Sequence, residues 1–319
     1  DPPLHTRVRR LIAGALTPQA IAEMQPGLAT LVERLLDAMA RKDDVDLIED
    51  FAAAIPIEII GNLLDVPGDE RAPLRGWSLA ILSALEPTIS TEAAQRGNGA
   101  VTEFIDYLKQ LVANRRRHPG NPKRDVLTRL IQGEAGGERL SEKELLHNCI
   151  FLLNAGHETT TNLIGNALVA LAQYPEEKQK LIDAPHLVES AVEEVLRFES
   201  SNQFGNRITT QSTELAGVPM PEGTRVTLCI GAANRDSAQF DEPDRMNIAR
   251  SPNRHLAFGG GIHQCIGMRL ARLEAGVALT RFLARFPGYA MSGAPVRAGR
   301  ARFRGFARIA CRLSQSGER

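Results

Sequence analysis

The chain has 319 residues, of which 43% are hydrophobic and 24% charged, so it can bury the core of an ordinary globular protein. Its 38 Lys and Arg residues balance 38 Asp and Glu residues, which gives no support for a nucleic-acid partner or an acidic tail. Its 4 cysteines are too scattered for a metal site or a disulfide framework, and no apolar run is long enough to cross a bilayer. We therefore expect a soluble cytoplasmic protein that binds neither nucleic acid nor membrane.

Helical periodicity dominates the chain and is interrupted by short strand-like segments. The predicted helices cover residues 18–40, 47–64, 71–85, 92–117, 125–132, 141–173, 176–182, 187–198 and 266–286. The predicted strands cover residues 206–210, 213–215 and 224–230, with a strand pair at 303–313. Loops are predicted at the glycine-rich residues 133–137 and the polar residues 234–255. We expect a mainly α fold with a small β region, in which residues 1–319 form a single domain.

The longest predicted helix, residues 141–173, carries polar residues in its apolar middle. It begins at a capping box formed by Ser141 and Glu144. At 1.5 Å per residue, its roughly 32 residues would span nearly 50 Å, enough to cross a domain. In its middle, Glu158 and Thr159 form an acid–alcohol pair: the hydroxyl can bond back to the preceding turn and open a notch, and the acid can relay protons. The alternative is an exposed helix on which Glu158 is solvated.

A cysteine between glycines precedes the last predicted helix, in the segment Phe258-Gly-Gly-Gly-Ile-His-Gln-Cys265-Ile-Gly267. Backbone N–H groups and the start of a helix favour the thiolate form of Cys265. Glycines on both sides allow a large flat ligand to approach the backbone. A thiolate presented in this way can serve as an axial ligand of haem iron. Taken alone, Cys265 could equally be a buried structural cysteine in a glycine turn.

The pattern Phe-x-x-Gly-x-His-x-Cys-x-Gly resembles the haem-binding loop of the cytochrome P450 monooxygenases. The resemblance implies the cytochrome P450 fold, with a long central helix over haem b and Cys265 as the iron ligand. The segment Ala155-Gly-His-Glu158-Thr159 is similar to the family's oxygen-activating motif. It implies that Glu158 and Thr159 deliver protons to dioxygen.

Further motifs imply residues that hold the haem propionates. The stretch from Asp1 to Arg9 resembles the family's Asp-Pro-Pro-x-His-x-x-x-Arg, which assigns His5 and Arg9 to the propionates. By the same resemblance, Arg207 and His263 are further partners. Cations are needed there because carboxylates brought into a low-dielectric site are otherwise too costly to bury. On spacing alone, His5 and Arg9 could instead form a solvated basic face.

The segment Glu194-Val-Leu-Arg197 resembles the family's buried Glu-x-x-Arg, and Arg250 matches its third member. The resemblance implies a structural ion cluster behind the haem. By itself, Glu194 with Arg197 could be an ordinary surface pair on one helix face. Here Met246 and Asn247 stand where the family usually has an aromatic residue and an acid.

The implied activity is insertion of one oxygen atom from O2 into a small hydrophobic substrate bound near residues 153–159, 200–207 and 305–306. No flavin or iron–sulfur motif occurs, so electrons are expected from a separate ferredoxin or flavodoxin, which would dock at Arg269 and Arg272. The family's first helices, most of its main sheet and its substrate-capping loop have no counterpart in the sequence. A peroxide-driven peroxygenase and a haem-binding sensor without turnover are the alternatives.

Overall fold

The computed structural model describes residues 1–14, 16–122, 126–133 and 139–314. Helices dominate it, as predicted. They are α1 (Leu4–Ala13), α2 (Pro18–Met39), α3 (Ala54–Leu63), α4 (Ala72–Ser83), α5 (Thr91–Arg117), α6 (Val126–Gln132), α7 (Glu142–Gln173), α8 (Pro175–Asp183), α9 (Val188–Phe198), α10 (Ile230–Ala233) and α11 (Met268–Arg285). Residue 125 of a predicted helix and residues 134–137 of the predicted glycine-rich loop lie outside the described residues.

The helix α7 forms the centre of the core. It begins at the predicted capping box, in which the Glu144 N–H donates to Ser141 Oγ at 3.3 Å and the Ser141 N–H donates to Glu144 Oε2 at 2.9 Å. Every residue from 160 to 171 is buried, and the helix packs against α3, α4, α5, α9 and α11. Because other helices surround this half of α7, it holds the residues of the more open first half in fixed positions. Within the described residues, no helix has both the length and the apolar character needed to cross a bilayer.

The β region consists of short antiparallel strands. They are β1 (Val45–Asp46), β2 (Phe204–Ile208), β3 (Thr213–Leu215), β4 (Val218–Met220), β5 (Arg225–Cys229), β6 (Ala290–Met291), β7 (Val296–Arg297), β8 (Phe306–Arg308) and β9 (Ala310–Arg312). One sheet has the strand order β1-β9-β6, and the other pairs are β2 with β5, β3 with β4, and β7 with β8. In the pair β2–β5, Arg207 lies opposite Val226.

Two of the predicted elements are wrong in detail. The segment 303–313 is not a strand pair: β8 pairs with β7, and β9 pairs with β1 and β6. Only Ile309 separates β8 from β9, and a single residue is too short for a hairpin turn. The predicted helix 47–64 is not one α-helix: a π-helical turn precedes α3. In this turn the Ala52 N–H donates to the Leu47 carbonyl and the Ala53 N–H to the Ile48 carbonyl, both at 2.9 Å.

Candidate functional site

The loop that carries Cys265 is closed by its own backbone. The Cys265 N–H donates to the Phe258 carbonyl at 2.8 Å, which brings the two ends of the segment together. Gly259 and Gly261 adopt φ angles of 65° and 68°, in the left-handed region that glycine enters at little cost. The loop ends at Gly267, whose carbonyl accepts the Ala271 N–H of α11 at 3.0 Å. This arrangement presents Cys265 directly before the start of α11.

Cys265 is a free, exposed cysteine, but its thiol is not acidified by the polypeptide alone. Desolvation of the thiol by neighbouring protein atoms raises the pKa of Cys265, and this outweighs the Gly267 N–H and the charges of Arg9 and Arg272, which lower it. The thiolate form of Cys265 therefore stays a prediction for the metal-bound site. Metal coordination is the interaction that deprotonates such a thiol outright.

The four basic residues predicted to hold propionates lie together beside this loop, although they come from distant parts of the chain. Arg9 Nη2 donates to the carbonyl of Gln264 at 2.6 Å, and the rings of His5 and His263 are 4.4 Å apart. Partial burial together with the charges of His263 and Arg9 lowers the pKa of His5. Partial burial together with the charges of Arg207 and Arg9 likewise lowers the pKa of His263. Partial burial and the nearby positive charges therefore favour the neutral form of both histidines.

These residues fit an iron porphyrin with two carboxylates. Within the described part of the chain, neither Arg9 nor Arg207 pairs with a carboxylate; their side chains donate only to the carbonyls of Gln264 and Asn206. His5 Nδ1 is buried without a hydrogen-bond partner, and Asp1 Oδ1 is the carboxylate that reaches His263 Nε2, at 2.6 Å. Two arginines without a carboxylate partner call for an anion, and a free thiol is the soft ligand that iron accepts.

On the other side of the candidate site, the first half of α7 presents a more open face. Phe151 is 51% exposed, Ala155 is exposed, and Thr159 is partly exposed. Thr159 Oγ1 donates back to the Ala155 carbonyl at 2.7 Å, which is the bond that the sequence predicts. A Cβ at Gly156 would lie 2.6 Å from Ile60 Cδ1, so this glycine allows α3 to pack closely against α7.

Glu158 points away from this face and into the protein. Its side chain is buried and forms an ion pair with Arg300, which also donates to Ser83 Oγ of α4 at 3.1 Å. Burial raises the pKa of Glu158, while Arg300 opposes the shift. No hydrogen bond joins Glu158 to Thr159 among the described residues, because adjacent positions on a helix point about 100° apart. The alternative of a solvated Glu158 is therefore wrong, and Arg300 is a partner that the sequence analysis missed.

The C-terminal segment that carries Arg300 continues along α7. Asn166 Nδ2 donates to the carbonyls of Arg304 at 3.1 Å and Glu199 at 3.0 Å. Gly305 lies so close to Asn162 that a Cβ at this position would overlap the amide side chain. The segment is thus fixed to the same helix that carries Glu158 and Thr159.

The structure brings Glu194, Arg197 and Arg250 into one cluster. Arg197 donates from Nε and Nη2 to the two oxygens of Glu194, both at 2.8 Å, and both side chains are 0% exposed. Arg250 Nε lies 3.2 Å from each carboxylate oxygen of Glu194, and the Asn247 N–H donates to Glu194 Oε1 at 2.9 Å. The alternative of a surface pair is therefore wrong for Glu194 and Arg197.

A second carboxylate cluster supports the start of the Cys265 loop, and the sequence analysis did not assign it. His255 Nε2 lies 3.1 Å from Glu193 Oε2, and Arg272 also binds this carboxylate. The Arg272 guanidinium lies over the ring of Phe258, with Cζ 4.7 Å from the ring centroid. Although burial alone would raise it, the hydrogen bonds from Arg272 and His255 lower the pKa of Glu193 to about 2. One pointer to this cluster in the sequence is that Glu193 directly precedes Glu194 of the Glu-x-x-Arg segment.

Comparisons with known proteins agree with this geometry. The sequence matches the family model described as Cytochrome P450 over residues 77–293. It is 40% identical over 296 residues to Cytochrome P450 107B1 of Saccharopolyspora erythraea, covering 92% of this chain and 71% of that protein. It is also 40% identical over 285 residues to the Biotin biosynthesis cytochrome P450 of Bacillus subtilis, covering 89% and 71% respectively. The fold is similar to that of P450BioI in complex with hexadec-9Z-enoic acid ligated acyl carrier protein, with a TM-score of 0.94 and 37% identity over 98% of this chain and 80% of that one.

Proposed function

Because the chain belongs to the cytochrome P450 family, we propose that Cys265 is the axial ligand of the iron of haem b. The family makes the protein a monooxygenase that inserts one oxygen atom from O2 into a small hydrophobic organic substrate. When bound, the thiolate-ligated iron supplies cleavage of the O–O bond. In this proposal the propionates are held by the four basic residues beside the loop: His5, Arg9, Arg207 and His263.

One observation carries this proposal: a free thiol lies beside two arginines and two histidines, and in the part of the chain that is described only His263 among the four pairs with a carboxylate. Arg9 links these two features, because it donates to the residue directly before Cys265, at 2.6 Å. A buried structural cysteine would need no such surroundings. The geometry therefore favours a large ligand that carries two carboxylates for the basic residues and a metal ion for the thiol of Cys265.

On the opposite side, Thr159 and Glu158 are the proposed proton-delivering residues. Thr159 Oγ1 holds a proton on the open face of α7, beside Ala155. Glu158 holds its proton more tightly than an ordinary carboxyl because burial raises its pKa. To supply Thr159, the Glu158 carboxyl must exchange its contact with Arg300 for a water that reaches the hydroxyl. The substrate lies along the face of Phe151, Ala155 and Thr159.

The electron donor is proposed to be a ferredoxin or flavodoxin, because the chain carries no flavin or iron–sulfur motif of its own. Residues 1–319 are proposed to act as a single haem-binding domain. The cytoplasmic location stays a prediction, supported by cysteines that are all free. The biotin-biosynthesis relative and the acyl-bound neighbour make long-chain acyl compounds the natural first probes of the pocket.

The ligand assignment is tested by the spectrum of the reduced carbon monoxide complex. The wild type should give the thiolate-type Soret band, and Cys265→Ser should lose it. Cys229→Ser is the matched control, because Cys229 is also a free, exposed cysteine. A pyridine haemochromogen spectrum identifies the porphyrin as haem b. Retention of the thiolate-type band by Cys265→Ser would show that another residue ligates the iron.

A further inference from the structure

Arg300, Arg302 and Arg304 occupy every second position of the C-terminal segment. Among the residues that the structure describes, only Arg302 of these three lacks a carboxylate partner. Arg300 pairs with Glu158, and Arg304 Nε donates to Glu199 Oε2 at 2.9 Å. Arg302 forms no side-chain hydrogen bond and no ion pair with any residue that the structure describes, and its Nε is fully buried. Burial of a cationic donor without a partner is unfavourable, so this guanidinium is suited to an external anion.

Backbone hydrogen bonds hold Arg302 in place, and its side chain takes no part in them. Its N–H donates to Glu86 Oε2 at 2.9 Å, and its carbonyl accepts the Gln203 N–H at 2.9 Å. No ion pair within 4.0 Å joins the side chains of Glu86 and Arg302, and Glu86 Oε1 is also buried without a hydrogen-bond partner. The same Glu86 oxygen also accepts the Ala301 N–H at 3.0 Å, which fixes that carboxylate to the backbone.

The surroundings of Arg302 match an amphiphilic ligand. Arg302 is hydrogen-bonded through its carbonyl to Gln203, in the segment 200–207 that is predicted to line the substrate pocket. In sequence it lies three residues before the second such segment, 305–306. Phe303 follows it, with its ring centroid 5.5 Å from the guanidinium carbon. Leu85 and Ile89, close to Glu86 in sequence, are 49% and 45% exposed. The cation is thus accompanied by an aromatic ring, and exposed apolar side chains occur close in sequence to the residue that binds its backbone.

We infer that Arg302 anchors a carboxylate of the substrate, and that the substrates of this enzyme are amphiphilic acids with an apolar tail. The planar guanidinium can bind both oxygens of a carboxylate, which fixes the orientation of the ligand as well as its position. The apolar tail then extends towards the face of α7 that carries Phe151, Ala155 and Thr159. This inference rests on the proposed function, because it assigns the substrate class of that same site.

The test compares dodecanoate with dodecan-1-ol, which share a chain length but differ in charge. Dissociation constants are measured by calorimetry and by the substrate-induced shift of the ferric Soret band. The wild type should bind dodecanoate about tenfold more tightly than dodecan-1-ol, the size expected for one charge-assisted contact. Arg302→Gln should bring the two ligands to within about twofold of each other by weakening dodecanoate alone.

Arg304→Gln is the matched control, since it removes a neighbouring arginine whose partner is Glu199, and it should retain the preference for dodecanoate. Equal binding of the two ligands by the wild type, absence of dodecanoate binding, or an unchanged preference in Arg302→Gln would each overturn the inference. Calorimetry reports binding whether or not the haem spectrum responds. Failure of the thiolate-type carbon monoxide spectrum would instead count against the proposed function.

Discussion

Arg272 donates two hydrogen bonds to Glu193, from Nε to Oε1 at 2.6 Å and from Nη2 to Oε2 at 2.8 Å. The guanidinium is therefore neutralised by a carboxylate of α9 while it covers the ring of Phe258. The sequence analysis assigned Arg272, together with Arg269, to docking of an electron donor. The geometry shows that Arg272 also supports the start of the Cys265 loop, while Arg269 is exposed on α11; docking of the donor at these two residues stays a prediction.

Charge reversal should separate these two roles. Arg269→Glu should slow reduction of the ferric enzyme by an acidic ferredoxin or flavodoxin, because an exposed charge at a docking surface steers association. Arg272→Glu should place two carboxylates together and reduce the fraction of thiolate-type carbon monoxide complex. Stopped-flow reduction and the carbon monoxide spectrum measure the two effects. Lys109→Glu on α5 is the control, and equal reduction rates for Arg269→Glu and this control would exclude docking at Arg269.

Thr159→Ala should uncouple oxygen consumption from product formation. The substitution removes the hydroxyl that donates to Ala155 and that we propose as the proton donor on this face. Hydrogen peroxide released per NADPH oxidised should rise, and product yield should fall, by several-fold. Thr159→Ser keeps the hydroxyl and should remain close to the wild type. A peroxide-driven peroxygenase would show almost no change in Thr159→Ala when supplied with peroxide.

Arg300→Gln should shift the pH dependence of turnover. Burial raises the pKa of Glu158 and Arg300 opposes that rise, so loss of the guanidinium should raise the pKa further. A higher pKa keeps Glu158 protonated, and able to supply protons, up to higher pH, so the alkaline limb of the rate profile should move to higher pH. Rates of product formation between pH 5 and 9 measure the effect. Arg300→Lys keeps the charge and should move the limb less; identical limbs in all three proteins would contradict a role for Glu158.

Glu194→Gln should destabilise the fold strongly. It leaves the fully buried Arg197 without the carboxylate that accepts two of its hydrogen bonds. Breaking a buried pair by removing one partner typically costs about 3–5 kcal/mol of unfolding free energy. Urea denaturation gives the difference, and Glu189→Gln, at an exposed position of the same helix, should change stability by less than about 0.5 kcal/mol. A loss as small as that of the control would show that the cluster is not energetically important.

His157 should make the folded state sensitive to mild acid. Burial, followed by the charges of Arg75 and Arg300, lowers the pKa of His157 to about 3 from its ordinary 6.5. The unfolded chain therefore binds a proton between these values that the folded protein does not, so stability falls as the pH drops below 6.5, by up to about 1.4 kcal/mol per pH unit. His157→Gln should flatten this dependence in urea titrations between pH 4.5 and 7. His186→Gln, at an exposed position, should leave the slope unchanged.

Features set by neighbouring residues could be predicted from the sequence, whereas contacts between distant residues could not. The glycines around Cys265 and the capping box at Ser141 act within a few positions, so their patterns are visible in the chain. Glu158 and Arg300 are separated by 142 positions, and no periodicity connects them. The same holds for His255, whose partner Glu193 lies 62 positions away, on α9.

The close approach of Gly305 to Asn162 sets a limit on how the pocket can be redesigned. Any larger residue at 305 requires either the Asn162 side chain or the C-terminal segment to shift, and a shift of the segment would disturb the ion pair between Arg300 and Glu158. A library that varies residues 302 and 303 while keeping residue 305 as glycine changes pocket shape and charge without disturbing the acid. A library that also varies residue 305 would mix changes of specificity with losses of proton delivery, and its inactive members would say little about the substrate.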